Sequence, residues 1–213
     1  MATVIKADGI ISNPKLGKII TLQLLTSASC IRSTDTELMG TTTDVYAGGS
    51  AYSWDGSTGL FVLSSLGLTN TLTTSSGTTY LGMPATKDVA LTFEAGVQGS
   101  EIIIDVRRIR VGDNYCYRLN MNSSRFAIQR RVVSGSAGNG TIKILPALVE
   151  GDKVYITFNG GVITVYINGL EAYTIDDSAY TDVQRAGVIA MSRGSAGASE
   201  HTYIKNLQVF SLS

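Results

Sequence analysis

The residues best suited to chemistry in this 213-residue sequence are two carboxylates on a short alternating segment, Glu101 and Asp105. In Glu101-Ile102-Ile103-Ile104-Asp105-Val106, strand alternation puts both acids on one face with Ile103 between them. Four residue steps at about 3.3 Å each separate them by roughly 13 Å. Glycoside hydrolysis needs carboxyl groups about 5–5.5 Å apart for retention and about 6.5–9.5 Å for inversion. The pair alone therefore cannot hydrolyse a glycosidic bond, and only Glu94, arriving from a neighbouring strand, would complete a dyad. The single histidine, His201, sits in Ser199-Glu200-His201-Thr202, which contains no nucleophile elbow, and is expected to be exposed at a strand start. One histidine and two distant cysteines, Cys30 and Cys116, give no zinc constellation. Gly48-Gly49 and Gly160-Gly161 read as turns, because no helix follows them to cradle a phosphate. No enzymatic activity and no cofactor are expected.

The elements that would position these residues are strands. Hydrophobic residues make up 44% of the chain and charged residues 16%, enough apolar material for a core and too little charge for disorder. Glycine is abundant (23) and proline scarce (3), as suits many tight turns. Seventeen basic residues balance seventeen acidic ones, so no bulk nucleic-acid binding is expected. No apolar run reaches the length of a membrane span. Residues 1–20 lack the compact apolar block of a secretory signal, so synthesis inside a cell is expected. The two cysteines are expected to be buried thiols, with a Cys30–Cys116 bridge left open.

Residues 1–29 form short apolar pieces (Val4-Ile5, Ile10-Ile11, Ile19-Ile20) broken by Gly9 and Pro14. They read as an arm that docks on another subunit or, equally, as an edge strand of the domain that follows, 30–213. That domain is a series of short strands with no 3.6-residue periodicity; only a single helical turn is conceivable near Asp177–Asp182. Trp54-Asp55-Gly56-Ser57 reads as a turn and Thr69–Thr79 as a loop. In Asp152–Ile175 the pattern predicts a three-stranded meander. A two-residue turn at Asn159-Gly160 would pair Phe158 with Gly161, Ile156 with Ile163 and Val154 with Val165, and Asn168-Gly169 would turn the chain again. Roughly a dozen strands without helices argue for two packed antiparallel sheets.

The C-terminal half carries a resemblance. Glu150-Gly151-Asp152-Lys153-Val154-Tyr155-Ile156-Thr157-Phe158, Val162-Ile163-Thr164-Val165-Tyr166-Ile167-Asn168-Gly169, Ala186-Gly187-Val188 and the closing Tyr203–Val209 are similar to strands of the concanavalin-A-like lectin/glucanase superfamily, including laminin-G-like modules. The resemblance spans residues from about 35 to 213 and implies an all-β, two-sheet antiparallel jelly-roll sandwich, here with an N-terminal extended arm. Asp35-Thr36-Glu37, Thr41–Val45, Gly48-Gly49, Tyr52-Ser53-Trp54 and Gly59–Val62 resemble the opening strands of bacteriophage virion and tail-associated members. The acidic Glu-x-Asp-x-x-Glu strand of the family's glucanases is absent from this sequence.

Candidate binding residues carry two readings each. Trp54, the single tryptophan, would stack on a sugar or anchor the core. Tyr155, Tyr166 and Tyr173 would share the non-core face of the meander, as a sugar platform, a subunit contact or a face covered by the rest of the domain. Arg107, Arg108 and Arg110 form one basic cluster and Arg130 and Arg131 another; if their strands pair, they make a patch for acidic glycans or an acidic neighbour, and otherwise a charged edge. Asp176, Asp177 and Asp182 resemble a Ca²⁺ rim but match no defined spacing, so solvated turn residues are expected. The acceptor patterns at Asn122 and Asn139 read as coincidence.

The sequence thus predicts a structural virion protein of a bacteriophage, a capsid decoration or tail component, in which a lectin-like jelly roll adheres to host-surface glycans. Its arm would contact other virion subunits, and the protein would be homo-oligomeric or lattice-bound. The alternative is a free carbohydrate-binding module with no particle role.

Overall fold

The computed structural model describes residues 4–5, 10–13, 18–38, 41, 52–56, 61–70, 78–81, 88–96, 98–99, 101–108, 116–131, 139–180, 188–193 and 201–212. Among these every regular element is a strand, and all strand pairs are antiparallel. The eleven-stranded sheet runs β1 (Val4–Ile5), β2 (Ile10–Asn13), β3 (Lys18–Ala28), β18 (Ile204–Leu212), β9 (Val89–Ala95), β14 (Lys153–Asn159), β15 (Val162–Ile167) and β16 (Leu170–Asp176). β7 (Gly67–Asn70) also pairs with the start of β18, and carries β6 (Phe61–Ser64) and β4 (Thr36–Glu37). The seven-stranded sheet runs β13 (Asn139–Leu145), β12 (Arg125–Arg131), β11 (Cys116–Asn122), β10 (Ile102–Arg108), β17 (Val188–Arg193), β8 (Thr78–Leu81) and β5 (Trp54–Gly56).

The core lies between the sheets, because each strand turns alternate apolar residues inward. Leu91, Phe93, Ile156, Phe158, Ile163 and Val165 from the larger sheet meet Ile104, Val106, Tyr117, Leu119, Phe126 and Ile128 from the smaller, all buried. Cys30 and Cys116 are both buried, with no disulfide between them.

The meander forms, but its first hairpin is shifted. Asn159 pairs with Val162, Phe158 with Ile163, Ile156 with Val165 and Val154 with Ile167, two residues from the predicted register. The turn is Gly160-Gly161, with Gly160 at φ +55°. Asp88 holds it there, its Oδ1 accepting the Gly160 N–H at 2.7 Å. A shift of two preserves strand parity, so the apolar face stays inward and only the partners change. The second turn is Asn168-Gly169 as predicted, with both residues at positive φ.

Two further expectations change. Trp54–Gly56 is a strand, paired with β8, where a turn was predicted. The predicted loop Thr69–Thr79 gives its ends to β7 and β8; short side-chain hydroxyls are compatible with pairing, and Thr69 Oγ1 donates to the Thr202 carbonyl at 2.8 Å. Residues 1–29 read equally as an arm or as an edge strand of the domain, and within them Lys18–Ala28 is a strand of the larger sheet, paired with β18 from Leu22 to Ala28; β1 and β2 reach the sheet only through it. The helical turn considered near Asp177–Asp182 is a plain turn at Ala179-Tyr180, and residues 181–187 lie outside the described ones.

Candidate functional site

β10 sends Ile102, Ile104 and Val106 into the core, so Ile103 and Asp105 face outward from the sandwich. The register sets Asp105 opposite Arg118 and Ile103 opposite Asn120 on β11, and then Arg118 opposite Gln129 on β12. One cross-strand row of the smaller sheet thus reads Asp55, Tyr80, Ala190, Asp105, Arg118, Gln129. Asp105 is fully buried and takes a two-pronged hydrogen bond from Arg118, Nε to Oδ1 at 2.8 Å and Nη2 to Oδ2 at 3.2 Å. Burial by itself lowers the Arg118 pKa, but the hydrogen bonds and charge of Asp105 outweigh it and the net direction is upward. Beside this pair, Asn120 Nδ2 donates to Glu101 Oε1, and Arg125 Nη2 lies 3.8 Å from the same oxygen. Asn120 Oδ1 and Arg125 Nε are enclosed and have no protein hydrogen-bond partner. The outer face of this sheet therefore holds a contiguous array of carboxylate, guanidinium and amide groups, where an ordinary outer face carries scattered solvated side chains.

The chemistry considered for the acidic residues does not assemble. Asp105 is committed to Arg118, and Glu94 belongs to β9 in the other sheet, where its Oε2 accepts from Asn206 Nδ2 at 3.2 Å. His201 is half-buried, where exposure was expected, with Nδ1 2.9 Å from the Asn70 carbonyl.

The predicted arginine clusters come to one end of the smaller sheet without direct strand pairing. β11 lies between β10 and β12, which separates the two clusters by about 10 Å. Arg107 is buried and crosses to the larger sheet, donating to Asp88 Oδ1 at 2.9 Å and to the carbonyls of Phe158 and Gly160. Burial lowers its pKa, against the opposing charge of Asp88. Arg108 is placed by its backbone in β10, and Arg110 lies outside the described residues. Arg130 Nη1 lies 3.4 Å from Asp177 Oδ2, and the Arg131 carbonyl accepts from the Tyr180 hydroxyl. Asp177 Oδ1 also accepts from the Tyr117 hydroxyl at 2.8 Å and from the Ala179 N–H at 3.0 Å. Burial and this bond together push the Tyr117 phenol well above the ordinary tyrosine range. Asp177 is thus a clamp between the sheets; Asp176 is exposed at the end of β16, and Asp182 lies outside the described residues.

The aromatic candidates are not a platform. Trp54 is 2% exposed and belongs to the core. Tyr155 and Tyr166 do share the outer face of the larger sheet, ring centroids 5.7 Å apart, but both are buried with Ala90 and flanked by Leu22, Phe210 and Leu212. Tyr173 points the other way. Tyr166 pairs with Glu171 and Val165 with Tyr173, so Ala172 is an extra residue and the bulge turns Tyr173 to the core side. There it lies beneath Lys143 Nζ of β13, 5.1 Å from the ring centroid.

The sequence reading overlooked Arg118, Asn120 and Arg125. The signal was present in Tyr117-Arg118-Leu119-Asn120-Met121-Asn122, where polar and apolar residues alternate strictly and one whole strand face is polar.

No protein-family profile and no curated protein sequence matches the chain. Solved structures do. The carbohydrate-binding module CBM66 from Bacillus subtilis is 10% identical, with 83% of this chain and 95% of that one covered and a TM-score of 0.51. The exoplasmic/lumenal domain of VIP36, in its Ca²⁺/Man3GlcNAc-bound form, is 14% identical over 76% of this chain and 85% of that one, at 0.52. The botulinum neurotoxin serotype D binding domain is 12% identical over 89% of this chain, at 0.53, and this chain spans 48% of its length. At such identities the likeness is one of fold. The chain is an all-β, two-sheet antiparallel jelly-roll sandwich, the architecture of these carbohydrate-binding and lectin-like domains.

Proposed function

We propose that this protein is a non-catalytic, lectin-like glycan-binding jelly roll that serves as a structural component of a bacteriophage particle. The observation that carries the binding reading is the outer-face array of Glu101, Asp105, Arg118, Asn120 and Arg125. Sugars are recognised by fixed polar groups that both donate and accept hydrogen bonds, and strands of a rigid sheet fix such groups well. The buried Asp105–Arg118 pair forms the floor, and Glu101 and Arg125, with side chains 17% and 39% exposed, face the ligand. The fold shared with CBM66 and VIP36 is consistent with this role. On a glycan array the protein is expected to bind a restricted set of oligosaccharides and release no reducing ends from them. Arg125→Ala should weaken that binding about tenfold, the loss of one charged hydrogen bond. Undiminished binding by the variant would place the site elsewhere.

The particle role rests on the N-terminal strands. β1 and β2 lie outside β3, at the margin of the larger sheet farthest from β14 to β16, and their sequence is rich in isoleucine. Such a margin suits a contact with another subunit. Removal of residues 1–17, which spares β3, is expected to turn an oligomer into a stable monomer by light scattering. A full-length protein that is itself monomeric would favour the free carbohydrate-binding module.

A further inference from the structure

We infer that the edge strand β16 is the surface on which the N-terminal strands of a second copy dock, so that copies join head to tail. The inference rests on the particle reading above and names the partner surface of the same N-terminal strands.

β16 ends the larger sheet, and its outer side pairs with no described strand. Leu170, Glu171, Ala172, Thr174 and Asp176 are exposed. Natural sheets protect such an edge with lysine, proline, bulges or a covering loop, because open N–H and C=O groups recruit further strands. β16 contains neither lysine nor proline, and its bulge at Ala172 leaves Tyr173–Asp176 in regular pairing. The start of the strand is apolar: Leu170 is 67% exposed, and Val149 nearby is 64% exposed. Asp152 brings the two to one end of the sandwich. Its carboxylate accepts from the Val149 N–H at 2.8 Å and from Asn168 Nδ2 at 2.7 Å, in the turn that leads into Leu170. The charged side chains of β16, Glu171 and Asp176, are both negative, so a strand that pairs with it should be apolar and basic.

Residues 1–18 have that character. They carry Val4-Ile5, Ile10-Ile11 and three lysines, Lys6, Lys15 and Lys18, against a single acid, Asp8. β1, within them, is the opposite margin of the same sheet. Seven strand spacings of about 4.8 Å, roughly 34 Å along the sheet, separate β1 from β16 of its own copy, so the two margins meet only between copies. Pairing of β16 with itself across a two-fold axis is disfavoured, because it would gather Glu171 and Asp176 of both copies into one seam. The two margins are different surfaces, so the contact repeats from copy to copy and closes into a ring or continues as a filament.

Two half-blocked proteins test this. Glu171→Lys with Asp176→Lys blocks β16 and keeps the N-terminal strands; removal of residues 1–17 deletes those strands and keeps β16. Each alone should be monomeric by light scattering, with the circular dichroism of the parent. An equimolar mixture of the two should form a dimer and nothing larger. The association of the parent should weaken about tenfold in high salt, which screens exposed charges. A mixture that stays monomeric while the parent is oligomeric would overturn the inference and leave the N-terminal strands as a contact to another surface. A β16 variant that associates like the parent would do the same. A parent that is itself monomeric would sink the particle reading, and the inference with it.

Discussion

Replacing Arg118 by alanine is expected to destabilise the protein by about 3–5 kcal/mol, the cost of leaving a buried charge without its partner. Asp105 is fully buried, and both of its oxygens are held by Arg118. Truncating the arginine removes both hydrogen bonds from a fully buried carboxylate. The pair itself is a weak source of net stability, because removing two ions from water offsets most of their attraction. The double variant Asp105→Leu with Arg118→Met should therefore recover most of the loss. Urea unfolding of the parent, the single variant and the double variant checks both halves. A single variant within about 0.5 kcal/mol of the parent, the range of ordinary surface substitutions, would show that Asp105 is solvated and is not the floor of the array.

Trp54→Ala should cost about 3–5 kcal/mol as well, for a different reason. The indole is 2% exposed and packs in the main core from β5, the terminal strand of the smaller sheet. Its removal leaves a cavity that a pinned edge strand cannot close, so the transfer and cavity contributions add. Because it is the single tryptophan, its fluorescence reports directly on this site. The native protein should emit at short wavelength, resist quenching by acrylamide and shift red on unfolding. The alternative role considered from sequence, a ring stacked on a sugar, makes the opposite prediction: Trp54→Ala would abolish glycan binding while unfolding at the parent's denaturant concentration.

Strand positions were largely legible because alternation is a local property, written in each strand's own residues. Val89–Phe93, Ile102–Val106 and Asp152–Ile175 show it openly, and they became β9, β10 and the meander. What failed depended on single-residue events. Asn159-Gly160 and Gly160-Gly161 both suit a two-residue turn, and the side chain of Asp88, some seventy residues away in sequence, decides between them. The bulge at Ala172 has no sequence signature, yet it moved Tyr173 from one face to the other. Trp54-Asp55-Gly56-Ser57 reads locally as a turn, because the pairing of β5 with β8 is non-local and leaves no local trace. The polar array was written plainly in the alternation of β11. The register that joins Asp105 to Arg118, however, emerges only from the sheet.

The placement of β18 governs the order in which this protein can fold. This strand follows the other described strands in sequence, yet it lies inside the larger sheet, between β3 and β9. Residues 22–28 therefore find their partner only after more than 175 further residues, up to Leu207–Leu212, have been made. Until then β3 and β9 each present a row of unpaired backbone groups, the kind of edge that recruits other chains. Contacts so distant in sequence make closure slow, on the order of milliseconds to seconds once β18 has been made. During synthesis the smaller sheet can pair the hairpin β11–β12 early, whereas the larger one stays open until β18 emerges from the ribosome. The yield of native protein in a cell should thus be limited by how long those two edges wait.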